Sequence, residues 1–565
     1  MLTEAELPAG YAYSVTTLEG ETDAINAAGS SLEPDGIAPT QSSSPGRRLA
    51  VNTLIVSGAF VLSRVLGLVR DAILLRMFGT SGQYDAYLFA FGIPDTLFVL
   101  IIGGAAGSAF IPVFTRLLSK GKDESAWHLV STLINSSVVL LSLMGIIFGF
   151  LAPTLVGTII APSSDPAEQR LVVDLTRILL FSPLFMGLGG WAQSILNARQ
   201  SFTLSALAPV AYNLAIIGGA FFFAPYIGIN GVALGVVLGA LLHFGVQVPG
   251  LVRTGTRYSF RINLRDEGVK EVGKLLLPRL VGQAAFQTNI IAAKAIGSFL
   301  APGLITAFNS AYNLMILPHG VFAMSLATVT FPTMAAQSAA NNLGEMRSTL
   351  AKAIKVLLFF TLPSAAGLFA LRSEIVAALF QSGRFTSEST ALVAAALFYF
   401  APGLVAYAVV EVITRAFYAL HDTVTPVVIS VSTVALNVAI SFALVRFLGW
   451  KQEGLALSLA FTTTLEMITL WLLLSRKLPG WSLFSDGLIT SAVKSSASAL
   501  LMAGLLLVLL PQLHAMMPDS NSKVVAIVIV AISIAAGGAV YLGTALLLRS
   551  EELGDAMRMV LRRRR

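Results

Sequence analysis

The chain has 565 residues, of which 55% are hydrophobic and only 12% charged, and its mean hydropathy is +0.79. A soluble protein carries about 25% charged residues, so this composition excludes a water-soluble globular fold. Cysteine is absent, which excludes disulfides and thiolate metal sites. Apolar stretches of about 20 residues recur along the chain, the length that crosses a hydrocarbon core, and in lipid such spans are expected to be helices.

Residues 1–48 differ from the rest of the chain. They are rich in Ser, Thr, Gly, Pro and acidic residues, and they contain few large apolar residues. We expect a disordered cytoplasmic tail, because this composition cannot bury enough surface to offset the loss of chain entropy. It lacks the basic start and apolar core of a signal peptide. Fourteen transmembrane spans are predicted after it: 50–77, 84–114, 128–155, 171–195, 203–223, 229–250, 273–298, 301–334, 350–371, 388–418, 424–446, 454–475, 487–511 and 524–548.

The loops between these spans alternate in charge. Arg116, Lys120 and Lys122 make one loop basic, and a longer basic loop runs from Arg253 to Lys274. Loops on the other side are short and nearly neutral. Basic loops stay in the cytoplasm, so both termini are predicted to be cytoplasmic. The net charge of +7 is thus explained by the basic loops that set the orientation in the membrane. It does not indicate nucleic-acid binding, and no nucleic-acid partner is predicted.

Similar short sequences recur along the chain at an offset of roughly 215 to 224 residues. Residues 63–67 (SRVLG) and 278–282 (PRLVG) form one pair, and 213–216 (NLAI) and 437–440 (NVAI) form another. Six helices per copy make this a parallel repeat, which is a transporter architecture. The predicted fold is all-α and polytopic, with about 14 transmembrane helices: residues 49–252 and 253–480 form two six-helix lobes, 481–548 an accessory pair, and 549–565 a basic cytoplasmic tail.

The first span carries Arg64, Arg70 and Asp71, with apolar residues 54–62 before them and 73–75 after them. An ionisable group within a span costs about 3 kcal/mol or more, so these three residues are predicted to face a water-filled cavity. Arginine forks bidentately onto phosphate oxygens, which suits a pyrophosphate head group. The alternative for Arg70 and Asp71 is a structural ion pair that only holds helices together.

Other ionisable residues lie in later spans. Lys294 in the seventh span is predicted to face the cavity, whereas Arg279 is as well explained by snorkelling to the interface. Pro94 and Pro318 are matched across the repeat and are predicted bends that let the lobes rock. No catalytic constellation or nucleotide-binding motif is present, which argues against an enzyme. Whether any metal binds is left open, and no cofactor is expected.

Several segments resemble the MurJ (MviN) lipid II flippases. They are 63–71 (SRVLGLVRD), Phe78 with Gly79, Asp85 with Ala86, 109–114 (AFIPVF), 379–385 (LFQSGRF) and 415–423 (RAFYALHDT). The resemblance spans about residues 50 to 548 in the same order. It implies the fold of the MOP exporter superfamily, with a cationic central cavity for the head group and a groove in the extra helix pair for an undecaprenyl tail. It also implies alternating access.

The resemblance assigns roles to individual residues. Four residues match positions tied to substrate handling or gating: Arg64, Arg70, Asp71 and Asp85. Asp85 is expected at a contact between the lobes, and Pro94 and Pro318 are assigned to the same gating role. Departures are Phe98 and Val99 in place of an arginine pair, Gly103 in place of an acid, and Tyr312 and Asn313 in place of Asp-Arg. Lys294 and Arg279 are hypothesised to replace the missing cations, and Asn313 is assigned to the same cavity.

Four functions are compatible with these features. The first is a lipid II flippase that acts on a polyprenyl-linked lipid, with coupling to the membrane potential or to a monovalent cation left open. The second is a divergent flippase for another polyprenyl-pyrophosphate-linked saccharide. A cation or drug antiporter is the third, and a non-transporting scaffold is the fourth. Membrane lipids and cell-wall synthesis proteins are the expected partners.

Overall fold

A computed structural model of the chain describes residues 45–103, 109–482, 485–517 and 522–554. Within these ranges it leaves out the side chains of 45–57, 60, 103, 277–279, 281–282, 285–286 and 485. The predicted tail therefore lies outside the described residues up to residue 44, and the basic tail does so from residue 555. The chain divides into two compact units, residues 1–53 and 54–565, and the account below concerns the second.

Apart from loops and one isolated β-bridge between Ser382 and Phe385, the secondary structure of the described ranges is helical, and long helices occupy all fourteen predicted positions. In chain order they are α1 Pro45–Phe78, α2 Gly82–Ile102, α3 Asp123–Ile160, α4 Pro166–Ala198, α5 Phe202–Phe222, α6 Ile229–Arg253, α7 Glu267–Gly297, α8 Leu304–Ala339, α9 Leu343–Ala370, α10 Ser387–Ala419, α11 Val424–Arg446, α12 Gln452–Lys477, α13 Leu488–Met516 and α14 Lys523–Leu547. Two shorter helices, Phe110–Ser119 and Arg372–Phe380, follow α2 and α9.

Twelve of the fourteen helices, counted over the described residues, are long and apolar enough to cross a membrane. The other two, α1 and α7, have 34 and 31 residues, which exceeds the about 20 residues that a bilayer needs. Charged side chains interrupt their apolar character, among them Arg64 and Arg70 in α1 and Lys294 in α7. The chain is thus an all-helical multi-pass membrane protein. The count of fourteen spans stays a prediction, because α1 and α7 do not qualify by composition.

Helix packing in the two predicted lobes follows the same scheme. In the first lobe (α1–α6), α6 packs on both α4 and α5, and in the second lobe (α7–α12), α12 packs on both α10 and α11. One π-helical turn of the first lobe, Val156–Ile160 at the end of α3, stands apart. The second helix of each lobe also contains a π-helical turn, Val99–Gly103 in α2 and His319–Ala323 in α8. These two turns begin 220 residues apart, within the offset of the sequence repeat. The matched packing and the matched turns agree with a parallel repeat.

The two π-helical turns lie close to the prolines that sequence reasoning proposed as bends. Pro94 lies in the short helical segment before the first turn, and Pro318 directly precedes the second. Proline lacks an amide hydrogen and clashes with the preceding turn, so a wider turn next to it relieves the helix. Both helices are therefore irregular at the same depth of their lobes.

The accessory pair α13 and α14 packs against the second lobe. The two helices contact each other, α13 packs on α9, and Arg372–Phe380 packs on α14. The Tyr541 hydroxyl of α14 donates a 2.6 Å hydrogen bond to the Phe359 carbonyl of α9. Large apolar side chains on the outer face, such as Leu500 and Val508, are exposed, as expected for a surface that faces lipid.

Candidate functional site

A cavity of about 180 Å³ lies between the two lobes. It is bordered by α1, α2 and α5 of the first lobe and by α8 of the second. Its polar lining residues are Arg70, Asp71, Tyr84, Tyr87, Tyr212, Asn309, Ser310 and Asn313. The three residues of this list that sequence reasoning assigned to the head-group site (Arg70, Asp71 and Asn313) therefore share one cavity.

All three nitrogens of the Arg70 guanidinium donate a hydrogen bond to residues of its own lobe. Its Nε and Nη2 donate hydrogen bonds of 3.0 and 2.8 Å to Asp71 Oδ1, and its Nη1 donates one of 3.0 Å to Asn213 Oδ1. Asn213 in turn donates to the Pro209 carbonyl at 3.0 Å, which fixes the amide. The side chains of Arg70 and Asp71 are 27% and 20% exposed, so the pair is half-buried yet reachable from the cavity.

The repeat places a neutral cluster at the corresponding point of the second lobe. Asn437 in α11, the repeat counterpart of Asn213, donates a 2.9 Å hydrogen bond to Asn289 Oδ1 in α7. Ser458 in α12 donates to Asn437 Oδ1 at 2.7 Å. In both lobes an asparagine thus connects to the first helix of its lobe, but among the described side chains only the first lobe has an ion pair there. The polar centre of the protein is electrostatically asymmetric.

Arg64 and Lys294 do not line this cavity. Arg64 lies about two turns before Arg70 on α1, and a Cβ atom built on Gly320 would lie 3.9 Å from its Nη2. The Arg64 guanidinium therefore reaches the π-helical turn of α8. Lys294 lies on α7 with its Cδ beside Gly92 of α2 and has an electrostatic interaction with Asp95, an exposed residue midway along α2. Each of these cations reaches across to the other lobe.

Asp85 forms a closely hydrogen-bonded contact between the lobes. It is 3% exposed and accepts hydrogen bonds from the Gly303 amide at 2.5 Å, the Thr306 amide at 2.7 Å and the Thr306 hydroxyl at 2.5 Å. These donors form the first turn of α8, whose free amides and helix dipole favour a carboxylate. The contact lies at the end of α1 and α2 away from the basic loops, a face that we call the neutral side.

Two segments that carry the family resemblance meet at this neutral side. The Arg384 amide donates a 2.9 Å hydrogen bond to the Arg76 carbonyl, and the Thr80 and Ser389 hydroxyls are 2.7 Å apart. Gly79 and Gly383 adopt φ values of +64° and +60°, and a Cβ atom on either would clash with a backbone carbonyl of the opposite segment. Glycine is required at both positions for conformation and for close approach. The neutral side of the cavity is thereby closed.

The structure brings together some predicted site residues and separates others. Arg70, Asp71 and Asn313 line the cavity, Asp85 lies in the lobe contact below it, and Arg64 and Lys294 reach the opposite lobe elsewhere. Arg279 lies in α7, but its side chain is outside the described residues. Sequence reasoning missed five polar lining residues: Tyr84, Tyr87, Tyr212, Asn309 and Ser310. Asn213 was noticed only in the repeat, and that recurrence was the one signal of its role. Within the described part of the chain, no group of three acidic or histidine side chains is arranged to hold a metal.

Comparisons with known proteins agree on one family. The family profile described as "Lipid II flippase MurJ" matches residues 74–542. The "Lipid II flippase MurJ" of Burkholderia cenocepacia is 31% identical over 467 residues, which covers 80% of this chain and 88% of that protein. The "Probable lipid II flippase MurJ" of Vibrio cholerae is 28% identical over 438 residues, covering 75% and 82%.

Solved structures give the same result. The structure titled "Lipid II flippase MurJ, inward closed conformation" has a TM-score of 0.73 and 26% identity, and it covers 88% of this chain and 99% of that one. An inward-facing multidrug resistance MATE transporter of the MOP superfamily has a TM-score of 0.63 at 16% identity, covering 75% and 96%. The second likeness concerns the fold alone.

Proposed function

The chain belongs to the lipid II flippase MurJ family, and from this premise we propose that it moves lipid II, a polyprenyl-linked cell-wall precursor, across the membrane. It is a transporter and not an enzyme. The observation that carries the proposal is a polar cavity between the two lobes that is closed on the neutral side. Arg70 lines it from the first lobe, and Asn309, Ser310 and Asn313 line it from the second. Such a cavity can open to one face of the membrane at a time.

Charge distribution supports an orientation for this movement. The basic loops are proposed to be cytoplasmic, together with both termini, in the inner membrane of a bacterium. The closed neutral side then faces away from the cytoplasm, and the head group enters from the side where the precursor is made. Arg64, Arg70 and Lys294 are proposed to handle the head group, with Asp85 holding the neutral side shut. No resident cofactor is part of the proposal; the membrane potential or a monovalent cation gradient is the proposed driving force.

A divergent substrate is the second candidate function. Neutral residues Phe98, Val99, Tyr312 and Asn313 stand where arginines and acids were expected, and the charge of Arg70 is balanced by Asp71. A cavity with less free positive charge binds a pyrophosphate less tightly and depends more on hydrogen bonds to a saccharide. These observations favour another polyprenyl-pyrophosphate-linked saccharide as the alternative cargo.

Genetic complementation separates the two candidates. The full chain is expressed in a bacterium depleted of its own lipid II flippase, and growth and the externally exposed fraction of lipid II are measured. Restored growth and restored exposure are expected. A chain that is made and inserted but restores neither would contradict lipid II as cargo. Restored display in a strain that lacks the flippase for another polyprenyl-linked saccharide would then establish the second candidate.

A further inference from the structure

The linker between α6 and α7 contains an extended segment, residues 256–265, that we call the strap. It adopts neither helix nor strand, yet it is held firmly against α3. Asn135 Nδ2 donates hydrogen bonds to the carbonyls of Ser259 and Arg261 at 2.9 and 3.1 Å, and the Tyr258 hydroxyl donates to Asn135 Oδ1 at 2.5 Å. The Ser259 amide donates to Ser131 Oγ at 3.0 Å. Polar side chains of α3 thus form the hydrogen bonds to the strap backbone that a neighbouring strand would form in a sheet.

Apolar residues and arginines alternate along the strap. The even-numbered positions hold the aromatic and aliphatic residues Tyr258, Phe260, Ile262 and Leu264. The odd-numbered positions include the arginines Arg257, Arg261 and Arg265. In an extended chain successive side chains point to opposite faces, so residues 257–262 of the strap are amphipathic, and Leu264 and Arg265 follow in a turn. Phe260 is 89% exposed and Leu264 62% exposed, although both would be buried in an ordinary loop packed on a core. All three arginines are also exposed, and none of them forms an ion pair within the described part of the chain.

The length of α3 is consistent with a strap at the depth of the lipid head groups. It contacts residues 131–135 of α3, which is about 12–18 Å along the axis from the start of that helix. The 38 residues of α3 extend beyond a hydrocarbon core of about 30 Å, so its first turns project from the membrane on the basic side. Arg199 donates a 2.8 Å hydrogen bond to the Thr254 carbonyl at the start of the linker and so fixes its end.

We propose that the strap binds anionic phospholipid in the leaflet on the basic side of the membrane. Phe260, Ile262 and Leu264 enter the boundary between head groups and acyl chains, which covers their exposed apolar surface. Arg257, Arg261 and Arg265 donate charge-assisted hydrogen bonds to lipid phosphates. Because the strap joins the first lobe to the second, anionic lipid bound there anchors the connection between the lobes.

The test uses the complete protein, which contains no cysteine. A nitroxide is attached to Phe260→Cys, and the protein is placed in nanodiscs of phosphatidylcholine alone or of phosphatidylcholine with increasing phosphatidylglycerol. Collisions with oxygen and with a water-soluble nickel chelate then report the depth of the label. Shielding from nickel that deepens as phosphatidylglycerol is added is expected. A label open to nickel in both bilayers would overturn the proposal and leave this face to a protein partner.

Charge variants provide the matched comparison. Adding Arg257→Gln and Arg261→Gln is expected to lower the affinity for phosphatidylglycerol by about fivefold for each arginine. The phosphatidylglycerol fraction needed for half of the depth change then rises, or the change no longer saturates. Lys120→Gln with Lys122→Gln removes the same charge from exposed residues at the same end of the protein and is expected to leave that fraction nearly unchanged. The proposal would be overturned if the arginine and lysine substitutions changed the phosphatidylglycerol dependence equally. A label depth that does not respond to phosphatidylglycerol would also overturn it.

Discussion

At the scale of single residues, Arg70 combines two roles that the sequence left as alternatives. It forms the ion pair with Asp71 that would make it structural, and it also borders the cavity that would make it functional. Asn213 accepts a hydrogen bond from the third guanidinium nitrogen, Nη1. Bonds to all three nitrogens fix the orientation of the side chain. A cation held in this way presents a fixed face to a ligand, and its partial neutralisation lowers the desolvation cost of keeping it inside the membrane.

Replacing Arg70 by lysine tests this fixed geometry. Lysine keeps the charge but cannot bond Asp71 through two nitrogens and Asn213 at the same time. Loss of one or two charge-assisted hydrogen bonds is expected to lower the flipping rate in proteoliposomes about tenfold or more. The control, Arg170→Lys, changes an exposed residue at the start of α4 and should flip normally. A normal rate for Arg70→Lys would show that charge alone matters at this position.

Asp85 offers a second test, directed at the lobe contact. Asp85→Ala removes the acceptor of three hydrogen bonds from the start of α8, and hydrogen bonds to charged groups are each worth about 1.5–3 kcal/mol. The neutral side should then open more often. A single cysteine at Ser310 is expected to react at least about tenfold faster with an impermeant maleimide added on that side. Thr306→Ala should give a smaller increase.

The control for this measurement is Glu388→Gln, since Glu388 is an exposed acid at the start of α10 on the same side. Its maleimide rate should match the parent protein. Equal rates for Asp85→Ala and the control would mean that Asp85 does not hold the lobes together. Faster labelling from the basic side as well would instead indicate general unfolding.

At the scale of helices, close packing of small residues decides how α5 meets α6. A Cβ atom on Gly219 would lie 2.6 Å from the Gly235 Cα, far inside van der Waals contact. The two helices approach this closely because neither has a side chain there, which is how membrane helices gain packing energy in lipid. In the second lobe, Gly403 of α10 packs in the same manner against Ala460 of α12.

Adjacent glycines in α5 allow a matched test of that packing. Gly219→Ala is expected to lower the free energy of unfolding by about 1–3 kcal/mol, because the helices must separate. Gly218→Ala is the control, since a Cβ atom there would meet only Phe222 of its own helix, at 3.9 Å. Gly218→Ala should leave the free energy of unfolding unchanged or raise it slightly. Thermal unfolding in detergent compares the two, and equal midpoints would contradict the packing argument.

The helices could be predicted and most of their tertiary partners could not. Hydropathy and length located all fourteen helices, because a span needs only a local run of apolar residues. The repeat likewise pointed to Pro94 and Pro318, beside which the π-helical turns lie. The bonds from Asp85 to Thr306, in contrast, join residues 221 positions apart. Local patterns carry no information about such partners. The tyrosines of the cavity were missed for the same reason, since an aromatic residue in a span is ordinary.

For the molecule as a whole, the charges and contacts are distributed unequally between its two faces. Basic residues and the strap lie on one side, and the interlobe hydrogen bonds lie on the neutral side. Arg64 and Lys294 also reach from one lobe to the other. The state described here is therefore held shut at one end, and we expect transport to require that the neutral-side bonds break while the lobes separate there.

A disulfide across the lobe contact tests whether that separation is needed. The Thr80 and Ser389 hydroxyls are 2.7 Å apart, close enough for cysteines at both positions to form a bond of about 2.05 Å. Because the chain has no other cysteine, Thr80→Cys with Ser389→Cys can form only this link within one molecule. Oxidation is expected to stop flipping in proteoliposomes, and a reductant should restore it, whereas either single variant should be insensitive to both. A fully crosslinked protein that still flips at the parent rate would show that the neutral side does not open during transport.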